Sequence, residues 1–372
     1  MGSLRVLHCD FEKTFRGAEN QLLTLHMGLL RQGIASAVVG TADVGLHMEM
    51  RRRRMQGFTG VSRLRPRIGE FDPVAALGLI RAVAAFNPTI VHAHSAHAAG
   101  IIYLARHFIG KQTYSVFHRT VTDALGVLSA AKYAAADLII SVSTEGKKRL
   151  LERGVAGGRI VVIPAGITIC PADACDVEGP VRSAPLRDPV IGTICALDRT
   201  QKDVATLVRA CVSLREKFKG LRCHIFGDGP DYKALQSLIA SQGLGETVVL
   251  RGWWQGPLQD AIKQLDVFVL PTFKEGTSNV LIAAMACGLP CVASRVEGNE
   301  EVLADAGLLV PVKDTQAMAD ALARVITEPG LYQDLARRCH ERSKLFTAEK
   351  TLQATVRCYA SLMKGPTVAA GA

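Results

Sequence analysis

The chain has 372 residues, 48% of them hydrophobic and 21% charged, which fits two globular domains with separate cores and leaves no low-complexity tract. Its net charge of +10, from 44 Lys and Arg against 34 Asp and Glu, favours an acidic partner such as nucleic acid, anionic lipid or a phosphorylated substrate. No apolar run is long enough to span a bilayer, no signal peptide is recognised, and the ten scattered cysteines form no Cys-x-x-Cys pair, so a cytoplasmic protein with reduced thiols is expected.

Residues 4–9 read as a short apolar strand. The glycine-containing loop around Arg16 and Gly17 then feeds a helix marked by Leu22, Leu23, Leu25, Leu29 and Leu30. A glycine loop opening a helix directly after a strand suits phosphate, although the GxGxxG spacing of a dinucleotide site is missing. Residues 35–40 make a second strand. Arg51, Arg52, Arg53 and Arg54 follow in a row among Leu46, Met50, Met55 and Phe58. This run is either a basic surface helix resting on anionic headgroups or a solvated face. Aromatic residues are not interleaved with the arginines, so nucleic acid is not expected.

Residues 73–86 are helical, and the strand 89–95 ends in His92, His94 and Ser95. Residues 114–120 repeat that pattern with His118. Polar groups at the carboxyl ends of parallel strands point into the ligand crevice of an open α/β sheet, which makes His94 and His118 candidates; a structural role fits each equally. A strand at 136–143, a helix at 145–153 and a strand at 160–167 close this half. Residues 171–189 lose periodicity and gain Pro and Asp, as a linker does.

The second half restarts with a strand at 190–195. Arg199 and Lys202 come just past it, where two cations suit a diphosphate, and a helix runs through Leu207 and Leu214. The strand ending at Phe226 turns through Gly227-Asp228-Gly229-Pro230 into a helix; Tyr232 stands where a dinucleotide fingerprint wants glycine. A strand at 247–251, a helix at 258–264 and a strand at 266–270 lead to the most informative stretch, 274–294. There Glu275 precedes Gly276, Thr277, Ser278, Asn279 and Val280 at a helix start. Amides at a positive helix terminus bind phosphate, and Glu275 can accept hydroxyl protons. An ordinary strand–helix–strand crossover explains the same stretch. Beyond it, Asn299 is expected to cap the next helix, with a strand at 307–311 and helices at 315–327 and 348–364.

With Gly227-Asp228-Gly229-Pro230, Glu275-Gly276, Asn279-Val280-Leu281, the run from Ala284 to Pro290 and the run from Gly307 to Pro311, the chain resembles the retaining GT-B glycosyltransferases of family 4, the glycosyl transferases group 1. The resemblance implies an α/β fold of two Rossmann-like domains facing across a cleft. An acceptor domain would occupy 1–175, a nucleotide-sugar domain 186–345, and a helix at 346–364 would pack back on the first. It implies a UDP-linked sugar as donor and a glycan or glycolipid acceptor, in cell-surface polysaccharide or lipopolysaccharide synthesis.

By the same resemblance His118 and Glu275 position the transferred sugar. Gly17, Arg199, Lys202, Gly227, Gly276, Thr277, Ser278, Asn279 and Val280 bind the donor, and Arg16 and His94 lie on the acceptor side. No cofactor is expected, and no metal either, since no DxD motif sits in a suitable loop. The sequence departs from the family at Ala283, where a second glutamate should hold the nucleotide ribose. Its loss removes about 1.5–3 kcal/mol of donor affinity. A non-catalytic scaffold with a degraded donor site, or a GT-B epimerase, is the alternative.

Overall fold

The computed structural model describes residues 4–61, 71–110, 112–120, 127–168 and 184–364; most of the expected linker therefore lies outside the described residues. The chain divides into two compact units, one formed by 1–168 with 348–372 and the other by 169–347. In the first run β1 (Arg5–Asp10), α1 (Gly17–Arg31), β2 (Ala35–Thr41), α2 (Gly45–Arg52), β3 (Phe58–Val61), α3 (Pro73–Phe86), β4 (Ile90–Ala93), α4 (Ala96–Ala105), β5 (Tyr114–Arg119), α5 (Val127–Ala134), β6 (Leu138–Ser141), α6 (Thr144–Leu151) and β7 (Ile160–Val162). In the second run β8 (Val190–Ile194), α7 (Val204–Lys217), β9 (Arg222–Phe226), α8 (Tyr232–Ser241), β10 (Val248–Gly252), α9 (Leu258–Ile262), β11 (Val267–Leu270), α10 (Asn279–Ala286), β12 (Cys291–Ser294), α11 (Glu297–Leu303), β13 (Leu308–Val310), α12 (Thr315–Thr327) and α13 (Leu331–Ser343). The last helix, α14 (Ala348–Met363), belongs to the first unit.

Each unit is built on one parallel sheet, ordered β3-β2-β1-β4-β5-β6-β7 in the first and β10-β9-β8-β11-β12-β13 in the second. Strand order reverses between β1 and β4 in one and between β8 and β11 in the other. Helices cover both faces of a parallel sheet, so its strands are apolar on both sides. In β1, Leu7 and Cys9 join a core with residues of α3 and α4, while Val6 packs on the opposite face with Leu25 and Leu29 of α1 and Leu352 and Tyr359 of α14.

Three local features differ from the sequence expectation. The basic helix α2 stops at Arg52, and Leu46 and Met50 are buried with Leu22, Leu23 and Val38, so its apolar side faces the core. Asn299 does not cap α11. Val296 holds that position without a side-chain bond, and Asn299 lies inside the helix, buried, donating from Nδ2 to the Ser294 carbonyl at 2.8 Å. The helix α13 was not anticipated, because Asp334, Arg337, Arg338 and Glu341 mask its apolar stripe of Tyr332, Leu335 and Cys339.

The approach of α14 to α1 depends on Gly28, where a Cβ would fall 2.7 Å from Cδ2 of Leu352. Leu352→Ala removes a buried contact at this seam and is expected to cost about 2–5 kcal/mol. The urea midpoint should fall at unchanged slope; an unaltered midpoint would show that α14 contributes little.

Candidate functional site

In an open parallel sheet the crevice for a ligand lies beyond the carboxyl ends of the strands where their order reverses. In the second unit two loops flank that point, residues 195–203 after β8 and 271–278 after β11. They carry Arg199, Lys202 and Glu275. The loops are joined by main chain: Phe273 N donates to the Gln201 carbonyl at 2.9 Å and Asp203 N to the Pro271 carbonyl at 3.0 Å. The Thr272 hydroxyl, also buried, lies 2.7 Å from the Gln201 carbonyl and 2.9 Å from the Lys274 carbonyl. The Ser294 hydroxyl at the end of β12 accepts from Thr272 N at 3.0 Å.

On this frame Lys202 Nζ is ion-paired with Glu275 Oε2. The side chains are 12% and 19% exposed, so the pair is largely withdrawn from water yet reachable from one side. Arg199 is held differently. Its backbone N–H donates to Asp231, and its guanidinium Nε lies 2.9 Å from the same carboxylate, but the side chain is 81% exposed. A recess of about 450 Å³ opens beside these groups, lined by Leu197, Arg199, Lys202, Asp231, Leu235 and Phe273 among others. That volume is in the range of small-molecule sites.

Two glycines set the loops. Gly227 has φ of 141°, and a Cβ there would sit 1.9 Å from the Cys195 carbonyl oxygen. It is buried, and its amide donates to the Gly252 carbonyl at 2.7 Å. Gly227 thus packs directly on the Cys195 main chain, and its amide is used within the sheet edge. Gly298 at the start of α11 was not singled out from sequence. A Cβ there would fall 2.0 Å from the Gly276 carbonyl oxygen and 2.4 Å from that of Glu275, so the absence of a side chain lets α11 support the Glu275 loop.

The helix start after Glu275 is partly capped: Ser278 is the N-cap of α10, and its hydroxyl accepts from Leu281 N at 3.4 Å. Gly276, Thr277, Asn279 and Val280 are all half-buried beside it. Ala283 is buried on the same helix. At the far side of Gly252, Trp253 is 63% exposed, and Trp254 packs edge-on against Phe226. Sequence reasoning passed over Asp231, Thr272, Ser294, Gly298 and Trp253. Only the Gly-Asp-Gly turn and the exposed tryptophan could have signalled them.

The first unit presents its own reversal point. Arg16 and Gly17 are exposed at the start of α1, and Arg16 N donates to Glu19 Oε2 at 2.6 Å. His94, just past β4, and His118, on β5, are buried with ring centroids 5.6 Å apart. Burial pushes the His118 imidazole down to about 4 and holds His94 well below its ordinary range, so both are neutral at pH 7.

Residues 188–328 match the family model described as glycosyl transferases group 1, and residues 15–169 match glycosyltransferase family 4. An exopolysaccharide phosphotransferase of Streptomyces coelicolor is 30% identical over 217 residues, 56% of this chain and 22% of that protein. The lipopolysaccharide core biosynthesis glycosyltransferase LpsE of Rhizobium meliloti is 27% identical over 195 residues, 52% of each chain. The chain thus spans between about a fifth and about half the length of these curated relatives. Among solved structures, that of Anabaena HepE in complex with UDP has a TM-score of 0.80 at 18% identity, covering 96% of this chain and 100% of that one. The two parallel-sheet units have the GT-B fold. The two family models cover most of the length from residue 15 to residue 328, and the chain belongs to the family-4, group 1 glycosyltransferases.

Proposed function

We propose that the chain is a retaining glycosyltransferase that moves a sugar from a nucleotide-sugar, UDP-linked, to a saccharide or lipid-linked acceptor in cell-surface glycan synthesis. The observation that carries this reading is the half-buried Lys202–Glu275 pair at the strand-order reversal, with Arg199 beside it and the recess next to both. Breaking a glycosyl–phosphate bond builds negative charge on the leaving diphosphate. Lys202, Arg199 and the amides at the start of α10 are the groups that would stabilise it. Glu275 would take the sugar hydroxyls, and exposed Trp253 offers a face for the base. Anabaena HepE has been solved with UDP and with UDP-glucose, which supports a uridine donor by analogy. His118 is assigned to the transferred sugar, Gly17 to the donor phosphates, and His94 and Arg16 to the acceptor side. Donor phosphate oxygen, rather than a protein base, would assist deprotonation of the acceptor hydroxyl on the same face.

A glycolipid acceptor requires contact with a membrane surface. Among the described residues no helix is long and apolar enough to cross one. Arg51, Arg52, Arg53 and Arg54 are all exposed, but three of them are engaged: Arg52 and Arg53 with Glu49, and Arg51 with Asp43 at 3.7 Å. The Arg52 guanidinium hydrogen bond is the main cause that lowers the Glu49 carboxyl to about 2, so the pairing persists across working pH. With Leu46 and Met50 in the core, attraction to anionic headgroups would be electrostatic.

UDP-sugars should raise the melting temperature and yield product with a glycan or glycolipid acceptor. Lys202→Ala should lower UDP affinity at least tenfold, and a panel of UDP-, GDP- and ADP-sugars without any stabilisation would sink the reading. Ala283→Glu restores a carboxylate for the ribose and should raise UDP affinity by roughly 10- to 100-fold, the equivalent of about 1.5–3 kcal/mol; no gain would mean the ribose is held elsewhere. Glu49→Gln frees two arginines and should strengthen binding to phosphatidylglycerol vesicles roughly fivefold, about 1 kcal/mol. Co-sedimentation that is equal for this variant and the parent would remove the membrane part of the proposal.

A further inference from the structure

The register of the first sheet gathers histidines that lie far apart in sequence. His8 of β1 pairs directly with His92 of β4, His94 follows two residues on, and His118 of β5 falls on the same face. All four are buried. His8 Nδ1 and His94 Nε2 are 2.9 Å apart, and the His92 and His94 ring centroids are 4.1 Å apart. One nitrogen from each of His8, His92 and His94 can be chosen so that all three lie within 4.8 Å of one another. The His118 ring stacks on His92 at 5.6 Å with an interplanar angle of 5°.

An ordinary buried histidine satisfies both ring nitrogens, and these do not. His8 Nε2, His92 Nε2 and both nitrogens of His118 are buried without a hydrogen-bond partner. His92 Nδ1, in contrast, is 2.6 Å from the hydroxyl of Tyr359 on α14. With Nδ1–H donating to that hydroxyl, the Nε2 lone pair is left for a ligand, which is the outer-shell arrangement that orients a ligating imidazole.

We infer that His8, His92 and His94 form a binding site for one divalent transition-metal ion of the zinc class, with Tyr359 as the orienting outer-shell group. Neutral imidazoles suit zinc, cobalt, nickel and copper better than magnesium or calcium, which take oxygen. Zinc–nitrogen bonds of about 2.0–2.1 Å in a tetrahedral shell place ligand nitrogens roughly 3.3 Å apart, so coordination requires the three nitrogens, now within 4.8 Å of one another, to draw closer. Three protein ligands leave the fourth position to water or hydroxide. The site lies within the first unit and shares His94 with the acceptor side proposed above, and its test reads metal binding rather than sugar transfer.

The test uses the full chain, stripped with EDTA and titrated with Co²⁺ and then Zn²⁺. Expected are one equivalent of cobalt per chain with visible d–d absorption and no thiolate charge-transfer band, displacement by zinc, and a higher melting temperature with zinc. Tyr359→Phe should weaken zinc binding by roughly 10- to 100-fold, and His92→Gln by at least that much. A thiolate band would place the metal on cysteines and overturn the inference. So would the absence of both absorption and thermal shift at saturating metal, or unchanged affinity in His92→Gln. If His92→Gln fails to fold, the cobalt spectrum of the unaltered chain decides by itself.

Discussion

The ion pair between Lys202 and Glu275 is the constraint on which the rest of the second unit's site depends. Each residue lies on a loop that leaves a different strand, and neither charge could stand alone in so withdrawn a position without a desolvation penalty. Pairing them satisfies both and fixes the two loops against each other, with Thr272, Phe273 and Asp203 supplying the main-chain bonds that make the distance repeatable. On the proposed reading, a diphosphate arriving at Lys202 would meet a cation that already has a partner, and a sugar hydroxyl arriving at Glu275 an anion in the same condition. One ligand carrying both groups would replace the pair in full, whereas a free phosphate or a free sugar would replace only half, and selectivity for the joined molecule would follow from this exchange.

Both units use the same topology to concentrate polar side chains, with opposite results. In the second, the strand reversal gathers charges of both signs on loops, open to one side. In the first it gathers imidazoles inside the sheet layer, where α1 and α14 cover them. Strand register accounts for the difference. Lys202 and Glu275 lie beyond their strands, while His8 and His92 lie within theirs, on the face those helices bury.

The alternation of apolar strands and helices was legible because each element carries its own period, and the strand-end rule pointed to Lys202, Glu275, His94 and His118 before any coordinates. What lay beyond reach was pairing. Nothing in the sequence joins Lys202 to Glu275, Arg199 to Asp231, or Gly298 to Gly276, since each couple is brought together by sheet order rather than spacing. Asn299 misled because asparagine caps helices well, and here its amide bonds the preceding strand instead. His8 drew no attention, as a single histidine in an apolar strand, until register set it beside His92.

The return of α14 to the first unit bears on the order in which the chain can be completed. Residues 169–347 form the second unit as one uninterrupted segment, whereas the first needs both 1–168 and the helix that begins at Ala348. During synthesis the usual precedence of N-terminal domains is then reversed. On the face of the first sheet around Val6 and Ile90, where Leu25 and Leu29 of α1 already pack, the cover from α14 is missing until Leu352 and Tyr359 leave the ribosome. By that time the whole of the second unit has already emerged.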